Sequence, residues 1–181
     1  MTNGKLTIQD PLGIFWPRQY VRLQTTLDYS IAPENLTLFD QTGAPVDADF
    51  LDLQKNVLTV GLMLSLNPNE TVEFEIRTAD PSSACFAEIA ESNGVLSIRT
   101  PKFTCDLPAS GAYSTPPPPI LRFSDSSLHL SGGLHNAPCA ATLQTHLTCR
   151  PLTVQVDLHY TFSNGDTWNL TLDFYKDTAD I

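Results

Sequence analysis

Charged residues are scarce in this chain, and basic residues are the scarcest. Among 181 residues there are 10 lysines and arginines against 20 aspartates and glutamates, so the formal net charge is -10. Binding to a phosphate backbone requires clustered lysine and arginine that displace counterions. We therefore expect no nucleic-acid partner.

Long apolar runs and helical periodicity are also missing. No run approaches the roughly 20 apolar residues of a transmembrane helix. The first residues, MTNGKLTIQD, lack the charged and apolar regions of a secretory signal. We expect no membrane insertion and no signal peptide, which indicates synthesis in the cytoplasm but leaves open assembly into an extracellular or virion structure. Because no long stretch keeps a helical period, we also expect almost no helix.

Recognisable catalytic motifs are absent from the sequence. It contains no Gly-x-Ser-x-Gly nucleophile turn, no phosphate-binding loop and no dinucleotide-binding glycine fingerprint. We expect a noncatalytic chain with no catalytic residue and no cofactor. A small enzyme with two carboxylates in a composite cleft stays open as an alternative, because the separation of two carboxylates is a three-dimensional quantity.

The strongest positive signal is an alternation of apolar and polar residues near the end of the chain. Every even position from Leu152 to Phe162 and from Trp168 to Phe174 is apolar or aromatic. A period of two is typical of an antiparallel hairpin with one buried face. A three-residue loop with Gly165 in a left-handed bulge would place Tyr160 opposite Trp168 and keep both on that face.

A second hairpin is predicted around Asn93-Gly94. A two-residue loop there would place Ile89 opposite Ile98, and Asn-Gly favours this turn. Strands ending at Leu66 and beginning near Val72 are joined by Asn-Pro-Asn, so we expect them to pair as a further hairpin.

These patterns predict an all-β, antiparallel protein. We expect a β-sandwich or barrel-like domain over residues 1–108 and a proline-rich crossover over 109–119, where four consecutive prolines prevent ladder hydrogen bonding. Residues 120–181 then form antiparallel strands ending in the amphipathic hairpin, which packs on the first part or on a partner.

Four cysteines leave two alternatives open. Free, buried thiols are favoured, because an apolar chain of this length needs no disulfide framework. If bridges exist, we expect the local pairs Cys85 with Cys105 and Cys139 with Cys149.

The sequence contains two clusters of potential metal ligands, and neither has the spacing of a metal site. The first set contains nitrogen and sulfur donors: His129, His135, Cys139, His146 and Cys149. The second contains carboxylates: Asp40, Asp47, Asp49 and Asp52. Residues an odd number apart on a strand point to opposite faces, and the acidic segment lacks the glycine and closing glutamate of a calcium loop. We expect no metal site and a solvated acidic loop.

Aromatic residues near the start are the candidates for ligand binding. Trp16, Arg18 and Tyr20 lie in one segment, and aromatic faces can pack on the apolar face of a sugar. Trp16 could instead fill one end of a barrel. Trp168 shares the parity of the core face, so we expect it to be buried.

The order of four landmarks resembles a known family. PLGIFWPRQYVRL, LFDQTGAPV, LNPNETVEFEI and ESNGVLSI follow one another as in the N-terminal β-barrel-like domain of exo-rhamnogalacturonan lyase and YetA-like proteins. β-Domains of α-mannosidases are similar as well. The segment LTVQVDLHYTFSNGDTWNLTLDFYKD resembles the first strands of the sandwich that follows in the lyase-like proteins. The resemblance implies a fold, and it implies that catalytic residues lie in separate large regions.

Three functions are consistent with these observations. The first is a noncatalytic binding or accessory module of carbohydrate-active proteins, with a glycan as ligand. The second is a structural subunit of a larger assembly, such as a virus or phage particle or an adhesin, with a protein partner or a homo-oligomer. The third is the small enzyme with a carboxylate cleft.

Overall fold

The computed structural model describes residues 2–28, 32–78, 85–125, 129–131 and 139–177. In these residues the chain is almost entirely β-structure, and all its paired strands are antiparallel, as predicted. The one helical element described is a short 3-10 turn, Pro33–Asn35. Within the described part no helix has the length and apolar character needed to cross a membrane. The chain divides into two compact units, Met1–Ala84 and Cys85–Ile181.

The first unit consists of two open sheets. Its strands are β1 Thr2–Gln9, β2 Trp16–Thr26, β3 Leu36–Phe39, β4 Pro45–Val46, β5 Ala48–Gln54, β6 Val57–Leu66 and β7 Thr71–Thr78. One sheet has the order β1-β7-β3-β4 and the other has the order β2-β6-β5. Each sheet ends in edge strands, so the described strands form a sandwich-like arrangement and not a closed barrel.

Strand β6 is the centre of the first unit's core. Leu58, Val60 and Leu62 are fully buried and Leu64 nearly so, as their alternation predicts. In the other sheet of this unit, Leu38 on β3 is also fully buried, as are side chains on the strands next to β3. Burying a large apolar side chain stabilises a fold by about 1.5–3 kcal/mol. The buried side chains of β6 therefore hold this strand in place, together with the strands β2 and β5 that pair with it.

The predicted hairpin between β6 and β7 is wrong. β6 pairs with β2 and β5, whereas β7 pairs with β1 and β3 of the other sheet. Both edges of β6 are already occupied, so the chain after Leu66 crosses to the other sheet. The turn is closed by Glu70, whose carboxylate accepts a hydrogen bond from the Asn67 backbone N–H at 2.7 Å.

The second unit contains the remaining strands in two further sheets. They are β8 Glu88–Ser92, β9 Val95–Arg99, β10 Phe103–Pro108, β11 Gly111–Tyr113, β12 Arg122–Asp125, β13 His129–Ser131, β14 Ala141–Cys149, β15 Thr153–Phe162 and β16 Thr167–Tyr175. The sheet orders are β13-β12-β10-β9-β8 and β11-β14-β15-β16. Their inner faces share one hydrophobic core, which makes this unit a β-sandwich.

The apolar face of the final hairpin is covered from within its own unit. Val154, Val156 and Tyr160 lie in the same core as Ile98 and Leu107 of the facing sheet. The rings of Phe103 and Phe174 stack across this core with centroids 5.8 Å apart. The covering layer predicted for this face therefore comes from residues 87–123.

Both predicted hairpin registers are confirmed. Ile89 pairs with Ile98, and positive φ angles of 52° and 77° at Asn93 and Gly94 give the two-residue turn. Tyr160 pairs with Trp168, and Gly165 has a φ of 92° in a three-residue loop. In both hairpins the alternation of apolar positions is compatible with only one loop length.

The proline-rich segment connects two sheets inside the second unit. β10 and β12, which flank the segment, lie in one sheet, and β11, which lies within it, belongs to the other sheet. The chain therefore leaves the sheet of β10 at residue 109 and returns to that sheet after residue 119. The carbonyl oxygen of Pro117 accepts a hydrogen bond from the Tyr160 hydroxyl at 3.1 Å. The boundary between the two units falls after Ala84, ahead of the predicted crossover.

The predicted disulfide pairs are wrong. Cys85 bonds to Cys149, and Cys105 and Cys139 are free. Cys105 lies on β10 opposite Ile98 and Phe123 and points into the core, where burial raises the pKa of its thiol to about 12. The free, buried state expected for all four cysteines therefore holds for Cys105 and fails for Cys85 and Cys149.

Candidate functional site

The predicted ligand-binding residues lie on β2, and an irregularity in the strand separates them. Trp16 pairs with Leu66, whereas Tyr20 pairs with Met63, and the register shifts between Trp16 and Gln19. Cross-strand partners share one face of a sheet. Trp16 and Tyr20 therefore belong to opposite faces, and Arg18 is exposed between them. The structure does not assemble these three side chains into one platform.

Trp16 is held by the buried carboxylate of Asp10. Its indole Nε1 donates to Asp10 Oδ1 at 3.0 Å, and Asp10 is only 2% exposed. The same carboxylate accepts the backbone N–H groups of Leu12 at 3.0 Å and Asn69 at 2.9 Å. Burial acts to raise the pKa of Asp10, but these donors outweigh it, so the pKa is lowered. Asp10 is therefore ionised at neutral pH and fixes the segment that follows it.

That segment, residues 11–15, is called the apolar loop below. It presents three large apolar side chains to water: Leu12 is 69% exposed, Ile14 52% and Phe15 61%. Gly13 has a φ of 67°, which lets the loop turn under the Asn69 side chain. Among the described residues, the other large hydrophobic side chains that are exposed to solvent are Val57 and Trp168, each 37% exposed. The apolar loop is thus a concentrated, anchored apolar surface on the first unit.

Tyr20 takes part in a different arrangement on the sheet of β2, β6 and β5. Its hydroxyl donates to Oδ2 of Asp49 at 3.1 Å, and Asp49 is fully buried. Burial and the Asp49 carboxylate raise the pKa of Tyr20, so the phenol stays neutral. Gly61 pairs with Asp49 and Arg22, and a Cβ there would overlap the Tyr20 hydroxyl. This cluster joins three strands.

The predicted solvated acidic loop is wrong for Asp49, which lies within β5 and is covered by Tyr20. Asp40 instead holds a tight turn. Its Oδ1 accepts the backbone N–H groups of Thr42 and Ala44 at 2.8 and 3.0 Å. The side-chain hydrogen bond from Thr42, followed by the backbone donors, lowers the pKa of Asp40. Both carboxylates are used to build the fold.

The nitrogen and sulfur set does not form a site in the described residues. Cys149 is taken by its disulfide, and the ring of His129 contacts the Ser124 hydroxyl at 2.6 Å. His135 lies outside the described residues. Across the described ranges, no three histidine, cysteine or acidic side chains gather as a metal would require.

Trp168 is less buried than its parity predicts. Its ring packs against Tyr160 with centroids 5.5 Å apart, yet 37% of the residue is exposed. β16 is the edge strand of its sheet, so no other described strand pairs with its outer side. Parity predicts the face on which a side chain lies but not how far the opposite layer extends.

No family model matches the chain, and no curated protein matches it. The apolar loop was missed as a site, although its signal is visible: three large apolar residues crowd into five positions that also hold Pro11 and Gly13, which favour a turn.

Proposed function

We propose that the chain is a noncatalytic accessory module of a carbohydrate-active protein, and that it seats against a neighbouring protein region through the apolar loop. The observation that carries this proposal is the exposure of Leu12, Ile14 and Phe15 in a loop whose backbone is fixed by Asp10. Burying each such side chain is worth about 1.5–3 kcal/mol. Binding to a partner surface would gain that free energy, which the isolated module does not obtain.

Because its backbone is held in place, the apolar loop can bind a partner without changing its conformation. Asp10 accepts hydrogen bonds from Leu12 in the loop, from Trp16 directly after the loop and from Asn69, which lies 59 residues away in sequence. A loop that is already ordered loses little further conformational entropy when it binds. Leu12 and Phe15 are therefore presented as anchors of the kind that dominate protein interfaces.

A protein partner fits this loop better than a lipid surface. Anionic membranes attract segments rich in lysine and arginine, whereas residues 11–15 contain neither and the chain carries a net charge of -10. The three side chains expose too little area to make a stable symmetric dimer, which buries about 800 Å² per partner. A concave apolar groove on another protein region would surround each side chain.

The carbohydrate context comes from the resemblance in the sequence. The apolar loop opens the first landmark, PLGIFWPRQYVRL, of the exo-rhamnogalacturonan lyase-like pattern. In such proteins the catalytic residues are implied to lie in separate, larger regions. Asp10 and Asp40, whose pKa values are lowered, both hold turns. These features support an accessory role.

The test compares a loop variant, Leu12→Ser with Phe15→Ser, with the wild-type chain and with Val57→Ser. Val57 is a matched control because it is an exposed apolar residue of the same unit. We expect the wild type and the control to bind the dye ANS, and the loop variant to bind it much less. Equal behaviour of all three proteins would contradict the docking role, and release of products from rhamnogalacturonan by the chain alone would contradict the noncatalytic role.

A further inference from the structure

The final strand of the second unit has a long edge with which no other described strand pairs. β16 has nine residues and is the last strand of the sheet β11-β14-β15-β16. It contains no proline, glycine, lysine or arginine, and its register with β15 has no bulge. Prolines, lysines, bulges and short length are the means by which proteins keep an edge strand from pairing with another chain. β16 has none of these features.

The other described edges of this unit are protected in these ways. β11 and β13 have only three residues each, and four prolines follow β11 at positions 116–119. β8 has five residues, and Glu88 and Glu91 are two of them. Among the described edges of this unit, β16 is therefore the one best suited to accept a further strand.

The backbone of β16 is oriented so that one set of its polar groups faces the open edge. Just before the strand, the Asp166 carbonyl accepts the Phe162 N–H at 2.8 Å, and just after it the Lys176 N–H donates to Leu152 at 2.8 Å. In an antiparallel strand the residues alternate between those that bond to one neighbouring strand and those that bond to the other. Even-numbered residues of β16 therefore bond to β15. The backbone groups of the odd-numbered residues point out of the sheet: Thr167, Asn169, Thr171, Asp173 and Tyr175.

The apolar side of β16 is also incompletely covered. Trp168 is 37% exposed, and Leu170 and Leu172 are only partly buried, whereas Phe174 at the end of the row is fully buried. These four even-numbered residues share the face that packs on the core. A further strand beside β16, with apolar residues on the same face, would cover the exposed part of this row.

A second β16 matches this edge along its whole length. When two copies run antiparallel with Thr171 opposite Thr171, all nine residues of each strand have a partner. The outward-pointing residues then face one another, with Thr167 opposite Tyr175 and Asn169 opposite Asp173. Each such pair exchanges two backbone hydrogen bonds, which gives about ten in total. Any other antiparallel register leaves residues at the strand ends without a strand partner.

The same register aligns the apolar side chains. It places Trp168 opposite Phe174 of the second copy and Leu170 opposite Leu172, so the apolar positions of both strands stay on the core face. The partly exposed row of one copy therefore continues into the row of the other.

Polar and charged groups are complementary in this register. The Asn169 amide can donate to the Asp173 carboxylate of the second copy. Directly beyond the strands, Lys176 lies opposite Asp166, so opposite charges meet at both ends of the pair. A register with Asp173 opposite Asp173 would instead place like charges together, which is destabilising.

We propose that β16 is a dimerisation edge, at which a second copy of this chain adds its own β16 across a two-fold axis at Thr171. The two four-stranded sheets then form one continuous sheet. This inference rests on the second unit alone and is independent of the apolar loop. The variant Leu12→Ser with Phe15→Ser should therefore dimerise like the wild type, so failure of the dimer and failure of the docking role are separately visible.

The experiment is sedimentation velocity of the full chain at concentrations from about 1 μM to about 1 mM. We expect a reversible dimer with a dissociation constant on the order of 10 μM, because the interface is a single pair of strands. A chain that stays monomeric at every concentration would overturn the inference and leave the edge to a strand of a different protein.

A pair of isosteric substitutions tests the contacts. Asn169→Asp places two carboxylates opposite each other at two points of the interface and should weaken the dimer about tenfold. It keeps the oxygen that contacts the His159 ring, so the fold is preserved. Adding Asp173→Asn returns one amide and one carboxylate to each point and should restore the wild-type affinity. An Asn169→Asp variant that dimerises like the wild type, or a double variant that is not restored, would overturn the inference.

Crosslinking tests the register in a Cys139→Ser background. Thr171→Cys brings two thiols to the two-fold axis, where facing Cα atoms are about 5.5 Å apart and within disulfide range. Thr167→Cys is the matched control, because Thr167 is exposed on the same face but lies roughly 27 Å along the strand from its own copy. With oxidised glutathione as the oxidant, we expect a covalent dimer from Thr171→Cys and none from Thr167→Cys. Equal crosslinking of the two variants would overturn the inference.

Discussion

Gly61→Ala is expected to damage the first unit through a single side chain. Gly61 lies in the central strand β6 and is buried, and an added Cβ would occupy the position of the Tyr20 hydroxyl. Tyr20 sits at the sheet surface, so it can swing away instead of forcing the strands apart. The swing breaks its hydrogen bond to the buried carboxylate of Asp49.

The magnitude follows from that lost contact. A hydrogen bond to a charged group contributes about 1.5–3 kcal/mol, so we expect Gly61→Ala to lower the unfolding free energy of the first unit by about 2 kcal/mol. In a Tyr20→Ala background there is no ring to displace. There Gly61→Ala should be neutral or slightly stabilising, because alanine in a strand is favoured over glycine by about 0.5–1 kcal/mol.

The assay is urea denaturation of the wild type, the two single variants and the double variant. The chain has two tryptophans, one in each unit. In a Trp168→Phe background, Trp16 fluorescence therefore reports the first unit alone. A double-mutant cycle isolates the coupling between the two positions. An equal loss from Gly61→Ala with and without the Tyr20 ring would refute the reasoning.

Three further predictions concern the disulfide, the anchoring carboxylate and the final hairpin. Cys85→Ser opens a bridge that spans 64 residues, which should cost the second unit about 4 kcal/mol by the loop-entropy relation, whereas Cys139→Ser should change its thermal midpoint little. Because the pKa of Asp10 is lowered in the fold, its carboxylate stabilises the chain at pH values above its ordinary pKa of 3.8, and this effect is lost as the pH falls through the folded pKa. Asp10→Asn should therefore flatten the decline of the urea midpoint between neutral and acidic pH. An unchanged decline would speak against the role of Asp10 as a stabilising carboxylate. Gly165→Ala forces a side chain into positive φ and should cost about 1 kcal/mol in the same denaturation assay, so a neutral result would contradict the bulged turn.

The buried faces of β6 and the final hairpin could be predicted because they depend only on local alternation. The even positions Leu58 to Leu64 on β6 and the even positions from Leu152 to Tyr160 of the final hairpin are buried as expected, whereas Trp168 is 37% exposed. Turn chemistry was equally local, so Asn93-Gly94 and Gly165 adopt the expected conformations. What a strand pairs with is not local, and the Asn-Pro-Asn turn after β6 therefore joins two sheets instead of one hairpin.

Contacts between residues distant in sequence could not be derived from pattern alone. The Cys85–Cys149 bridge joins a residue that precedes β8 to the last residue of β14, 64 residues later in the chain. The burial of Asp49 depends on Tyr20, which is 29 residues earlier in the chain. The register shift that separates Trp16 from Tyr20 contains Pro17, which cannot donate to the strand ladder, and because of this shift Trp16 and Tyr20 lie on opposite faces.

In the proposed function, the apolar loop binds a partner and does not stabilise the module's own fold. The most direct test is the unfolding free energy of the Leu12→Ser, Phe15→Ser variant, measured from Trp16 fluorescence in the Trp168→Phe background. Because both side chains are largely exposed, we expect it to equal that of the parent within about 0.5 kcal/mol. A loss of about 2 kcal/mol or more, typical of truncating a buried apolar side chain, would place these residues in the module's own core and contradict the account.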